Sequence, residues 1–221
     1  MTWTEQPVHF IDFEGGIGSG VLEYGVATLL GGRVTAVRTR LCSPTGRIRP
    51  EDTAIHGLTE GALARYEPFS SEWSLFAEYR ENGPLAAHFA GAENSLLRAT
   101  WAYPRNSPDF ARPGDRVIDW GPWIDSARVY AQLYPRLESV RLEAVVVACG
   151  LQAELDALAL VHCPPGRRRY HSALYDALAG ALLLGSLSRV PQLSSLTLTQ
   201  LIALSTLDPK KRDVIIQREL F

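Results

Sequence analysis

The chain has 221 residues, 46% hydrophobic and 21% charged, the balance of a folded globular protein of one generous domain or one domain with a tail, which excludes disordered and collagen-like classes. Glu143, Glu154, Asp156 and Asp176 interrupt its most apolar stretches, so no run of about 20 residues can span a bilayer, and with no secretory pattern at the start a cytoplasmic protein is expected. A net charge of −2 gives no global attraction for polyanions, so any such partner must be held by local arginines or by bound metal.

Residues 8–13 form a β-branched and aromatic run halted by Gly15-Gly16, as a buried strand is. Residues 21–30 and 33–41 read as two strands joined by Gly31-Gly32, a pair suited to the positive φ angles of a tight hairpin. After a loop through Pro44 and Pro50, residues 59–66 and 71–80 read as helices, the second with Ser70 or Ser71 as its cap. The pattern then alternates: 85–89 is a strand feeding a helix over 91–101, and 116–119 a strand feeding a helix towards Leu133. Helices over 140–149, ended by Gly150, and over 171–184, ended by Gly185, complete the core. From Ser186 the composition shifts to Ser, Thr and Pro, which sets residues 186–221 apart as a helical appendage or tail to a domain of residues 1–185. The class is α/β, three strands followed by α/β alternation. Cys42, Cys149 and Cys163 stand far apart, fit neither a disulfide framework nor a zinc site, and read as small core residues.

Asp12 and Glu14 are two apart in the first strand, so both carboxylates leave one face while Ile11 and Phe13 pack on the other. Two anions on an apolar strand need a cation or raised pKa values. Asp176 enters a helix whose neighbours are apolar or small almost all round, where an unpartnered carboxylate is costly. His171 is five residues earlier, about 500° round a straight helix and roughly 140° off-face, so it converges with Asp176 only from the first turn or the preceding loop. Glu93 lies in the first turn of its helix, on the same face as Leu97, while His88 reads as a satisfied core histidine.

Taken together, Asp12 and Glu14, then Glu93, then His171 and Asp176 resemble the DEDDh family of 3′→5′ exonucleases, over about residues 10–184. The resemblance implies a ribonuclease H-like fold: a mixed five-stranded sheet, three antiparallel strands then alternating α/β, flanked by helices. It also implies two Mg²⁺ or Mn²⁺ ions held by Asp12, Glu14, Glu93 and Asp176, with Asp12 bridging both and His171 as general base. Ile55-His56-Gly57-Leu58-Thr59 looks like the family's histidine-glycine loop near the terminal nucleotide, so Gly15, His56 and Gly57 are expected beside it, with Arg167 and Arg168 of the Arg167-Arg168-Arg169 run on the strand's phosphates. The chain departs from the family where Phe89 replaces Asn after His88, where Glu93 replaces Asp, and where Gly15-Gly16 follow Glu14. The implied partner is nucleic acid with a free 3′ end. A second reading, prompted by Phe89 and Glu93, is a binding module on the same fold that has lost turnover. Finally, Gln217-Arg218-Glu219-Leu220-Phe221 resembles the Gln-x-x-Leu-Phe peptides that dock on a bacterial sliding clamp, with Gln217, Leu220 and Phe221 as the contacts; this favours DNA as substrate.

Overall fold

The first strands form where β-branched and aromatic residues run without a break. In the computed structural model, which describes residues 2–206 with Lys210 and Asp213, β1 (Val8–Gly16) and β2 (Gly20–Leu30) are buried on both faces, and β3 (Arg33–Leu41) is the partly exposed edge. Arg33, Arg38 and Arg40 on that edge discourage a further strand from pairing. β1 and β2 are antiparallel, with Asp12 opposite Gly25 and Glu14 opposite Glu23, and a bulge follows Glu14. β4 (Leu85–Ala87) is parallel to β1, β5 (Ser107–Pro108) pairs only with β6 (Arg116–Val117), and β7 (Trp123–Asp125) is parallel to β4. The main sheet has the order β3-β2-β1-β4-β7, the mixed five-stranded α/β arrangement expected from the sequence.

The helices are α1 (Pro50–His56), α2 (Glu60–Leu63), α3 (Trp73–Asn82), α4 (Ala90–Thr100), α5 (Ser126–Leu133), α6 (Leu142–Ala148), α7 (Gln152–His162), α8 (Ala173–Ser186), α9 (Pro191–Ser194) and α10 (Leu198–Leu204). Every residue of α8 from Ala173 to Gly185 is buried, because the helix crosses β1 and β2 on one side and meets α6 and α7 on the other. Its N-terminus comes so close to the sheet that a Cβ on Gly25 would stand 2.3 Å from the carbonyl of Ala173. Only glycine opposite Asp12 allows that approach, and it brings Asp176 down onto β1. On the opposite face α3 and α4 cover an aromatic cluster of Phe13, Tyr24, Phe69, Phe76 and Trp101.

Four expectations change. The fifth strand of the main sheet is β7, not residues 116–119, where Arg116 and Val117 instead close the small β5–β6 pair. The irregular chain between is tied down by Arg80, whose fully buried guanidinium donates to the carbonyls of Pro108 (2.8 Å), Asp119 (3.1 Å) and Gly121 (2.6 Å). Both α1 and α7 form where no helix was expected; Pro50 starts α1, and Gln, Glu, Ala and Leu dominate α7, all strong helix formers. Residues 186–206 are no appendage. Leu198, Leu201 and Ile202 join the main core, and Trp3 donates from its ring to the carbonyl of Leu193 (2.9 Å). Of the cysteines, Cys42 and Cys163 are buried, but Cys149 is exposed at the end of α6. Gln217, Leu220 and Phe221 lie outside the described residues.

Candidate active site

Alternation along β1 turns Asp12 and Glu14 to the side of the sheet that α8 covers, while Ile11 and Phe13 join the aromatic side. The first turn of α8 adds Asp176, and the first turn of α4 adds Glu93. Glu14, Glu93 and Asp176 are only 7–8% exposed. The ligand-bearing atoms of Glu14, His171 and Asp176 all lie within 4.8 Å of one another. Asp12 and Glu93 complete the cluster electrostatically. Burial first, and then the charges of Asp176, Glu93 and Glu14, raise the Asp12 carboxyl well above its usual range. Burial followed by the neighbouring carboxylates pushes Glu14 and Glu93 up to about 8. Burial raises Asp176 to about 7, against the opposing pull of a hydrogen bond from the His171 backbone.

Glu93 Oε2 and Asp176 Oδ1 are buried with no hydrogen-bond partner among the described residues. Orphaned buried carboxylate oxygens in one acidic cluster call for a cation, and oxygen donors suit hard divalent ions such as Mg²⁺ or Mn²⁺. The residues therefore fit the metal set that the sequence implies.

The helix α8 begins two residues later than expected, and His171 stands in the loop just before it, one of the two places its angular offset from Asp176 allows. It takes a left-handed backbone, φ 61°, with its N–H donating to Asp176 Oδ2 at 2.9 Å and its side chain exposed at the mouth. His56, at the end of α1, is buried; its Nδ1 accepts the Leu58 N–H at 3.0 Å. That bond leaves the ring proton on Nε2, which has no partner. Gly57 ends α1 with φ 76°. Gly15 occupies the bulge at φ 126°, where a Cβ would be 2.3 Å from the Gly20 carbonyl, so the hairpin itself already requires glycine there.

The arginine run divides in a way its sequence does not show. Arg167 ion-pairs with buried Glu23 and donates to the carbonyls of His56 (2.6 Å) and His171 (3.3 Å). Arg168 donates to the carbonyls of Cys163 (3.3 Å) and Leu160 (3.1 Å). Arg167, expected on phosphate, thus spends its donors inside the protein, whereas Arg168 remains exposed. Arg169 is exposed, makes no hydrogen bond with a described residue, and lies over Gly57, its guanidinium 3.1 Å from where a Cβ would be.

No protein-family model and no curated protein sequence matches the chain. Solved structures do match. Exonuclease X, in complex with 5′-overhanging duplex DNA, is 23% identical over 90% of this chain and 99% of its own, with a TM-score of 0.65. The nuclease domain of 3′hExo, a DEDDh family member bound to rAMP, is 13% identical over 86% of this chain and 94% of its own, with a TM-score of 0.61. The chain has the fold of the DEDDh 3′-exonucleases. Exonuclease I from Methylocaldum szegediense shares that fold at 18% identity and a TM-score of 0.59, and this chain spans 42% of its length.

Two residues that hold the carboxylate cluster in place escape a reading of the sequence. Asp125, at the end of β7, accepts N–H groups from Phe89 (3.2 Å), Ala90 (3.1 Å) and Ala127 (3.1 Å). It thereby caps α4, whose own N-cap residue Phe89 has no capping side chain and sits at φ 64°, a costly conformation for a bulky residue that asparagine tolerates better. Glu23 is the other. Its signal was an acid inside the apolar run of β2, which must find a partner when buried.

The raised carboxyl pKa values set a pH dependence. A carboxyl raised on folding stabilises the protein fully below its unfolded pKa, and that stability is lost as pH climbs through the folded value. Burial lowers His9 to about 4 and lowers His88 as well, an effect that acts below pH 6.5. His56 is lowered too, and burial raises the Cys42 and Cys163 thiols to about 11, which tells only as pH nears 8.5, so from pH 6.5 to 7.5 the carboxylates dominate. Chelator-treated protein is expected to lose melting temperature across that window, and Mn²⁺ to restore it by a margin that grows with pH as cations replace protons. A flat curve that Mn²⁺ does not move contradicts the cluster.

Proposed function

We propose that the chain is a metal-dependent 3′→5′ exonuclease that releases nucleoside 5′-monophosphates from single-stranded ends, DNA in preference to RNA. The observation that carries this reading is the meeting of Asp12, Glu14, Glu93 and Asp176 from three separate elements beside an exposed His171. Those four acids would hold two Mg²⁺ or Mn²⁺ ions. Bound there, such ions supply Lewis acidity and neutralise charge on the attacking and leaving oxygens.

The protein's own groups do the rest. His171, with its backbone pinned by Asp176 and its ring open to solvent, takes a proton from the attacking water. The water oxygen bonds to phosphorus as the bond to the 3′ oxygen of the penultimate nucleotide breaks, and that oxygen leaves as a hydroxyl after taking a proton from solvent. His56 offers its unpartnered Nε2–H beside the terminal nucleotide, where Gly15 and Gly57 let the backbone approach. Arg169, exposed and with its charge acting on Glu14, meets the strand's phosphate beside the carboxylates, with exposed Arg168 next to it, while Arg167 is held inward. The preference for DNA rests on the sequence of Gln217, Leu220 and Phe221 as a sliding-clamp peptide.

The test uses matched DNA and RNA strands, 3′-labelled or 5′-labelled, with Mg²⁺ or Mn²⁺. The 3′ label is expected to leave at once as mononucleotide and the 5′ label to shorten in single steps, faster on DNA. His171→Ala should slow this by about 10²–10⁴-fold while Mn²⁺ still binds. Retained binding without cleavage would favour the turnover-deficient module that strained Phe89 prompts, and wild-type speed from His171→Ala would remove it as the base.

Arg169→Ala separates the arginines. It is expected to raise KM and flatten the slope of log affinity against log salt by about 0.7, the share of one phosphate contact on a single strand. An unchanged slope would return Arg169 to the solvent.

A further inference from the structure

Arg167 is half-buried, and each of its nitrogens has a partner. Nε donates to Glu23 Oε1 at 3.2 Å, and Nη2 pairs with Glu23 Oε2. Nη1 donates to the His56 carbonyl at 2.6 Å, and Nη2 reaches the His171 carbonyl at 3.3 Å. Glu23 is 2% exposed, lies directly opposite Glu14 in the β1–β2 register, and also accepts the Ala173 N–H at 3.2 Å. One ion pair thus joins β2, the end of α1, the loop before α8 and the first residue of α8.

We infer that Arg167, locked by Glu23, is a positioning residue that fixes His171 and the His56 turn on either side of the carboxylates. What it positions rests on the exonuclease reading above; the clamp itself does not. His171 at φ 61° is a conformation that persists only when its surroundings over-determine it. Asp176 holds its N–H and Arg167 holds its C=O, so the residue is fixed at both ends. The planar fork of a guanidinium is what reaches a carboxylate and two carbonyls together. An ammonium is a point charge on a flexible stem and cannot hold all three.

The test compares the full chain with Arg167→Lys, alone and in a His171→Ala background, and with Glu23→Gln, which removes the charge but keeps the shape. Arg167→Lys is expected to lower kcat at least tenfold, with KM, its salt dependence and Mn²⁺ affinity within about threefold of wild type. In the His171→Ala background it should cost less than about threefold, since its effect runs through His171. A raised KM with a flattened salt slope and intact kcat would make Arg167 a phosphate ligand and overturn the inference. So would unchanged kinetics, or a full further loss on top of His171→Ala. Should Arg167→Lys not fold, Glu23→Gln must show the same kcat-only loss in smaller measure, and its absence overturns the inference. A second readout needs no turnover: bound Mn²⁺ should relax the His171 imidazole NMR signal less in Arg167→Lys than in wild type. If wild-type protein cleaves nothing yet this difference appears, the exonuclease reading fails and the clamp stands; equal relaxation overturns the clamp.

Discussion

Mutual repulsion among carboxylates is the constraint that the rest of this structure answers. Asp12, Glu14, Glu93 and Asp176 are drawn out of water and towards one another, and burial and charge push all four pKa values up. Without cations such a cluster opposes folding as pH rises; with them it becomes a source of stability. The fold must therefore supply enough packing and hydrogen bonding elsewhere to hold the acids in register before any ion arrives.

Four fixings do this: one for each of the three elements that bring an acid, and one for the loops beside them. The β1–β2 ladder sets Asp12 and Glu14, and Gly25 lets α8 sit close enough to add Asp176. Asp125 caps α4 from the neighbouring strand and so sets the height of Glu93. The Glu23–Arg167 pair closes the open side, tying the loops of His56 and His171 to β2. Apart from the β1–β2 hairpin, each is a charged or close-packed contact between segments distant in sequence, which explains how a site made of repelling groups keeps a defined shape. It also explains why Arg167 and Arg169, two residues apart, differ in exposure: the first is consumed in pairing with Glu23, and the second stays at the surface.

The acids themselves were legible because each breaks a local pattern. Asp12 and Glu14 interrupt an apolar strand at period two, and Asp176 interrupts a helix apolar on every side. Angular arithmetic put His171 in the first turn of its helix or the loop ahead of it, and the structure has it in the loop. The supporting residues were not legible, since their meaning lies in partners far away: Glu23 and Arg167 are 144 residues apart, and Asp125 acts on residues 35 and 36 positions earlier. Identical arginines in one run carry no local signal of which will be enclosed. The fifth strand was misplaced because β7 is only three residues long and its position is set by the carbonyls that Arg80 gathers, not by its own pattern. Residues 186–206 read as a tail because Ser, Thr and Pro dominate their composition, yet three apolar side chains of α10 suffice to seat them in the core.

The central claim is that these four carboxylates are a site for a pair of divalent cations. Anomalous diffraction from crystals soaked in Mn²⁺ with a nucleoside 5′-monophosphate tests it most directly. Two peaks about 3.5–4 Å apart are expected, enclosed by Asp12, Glu14, Glu93 and Asp176, with His171 beside the phosphate. No peak within the cluster, or Mn²⁺ bound only elsewhere on the protein, would contradict it.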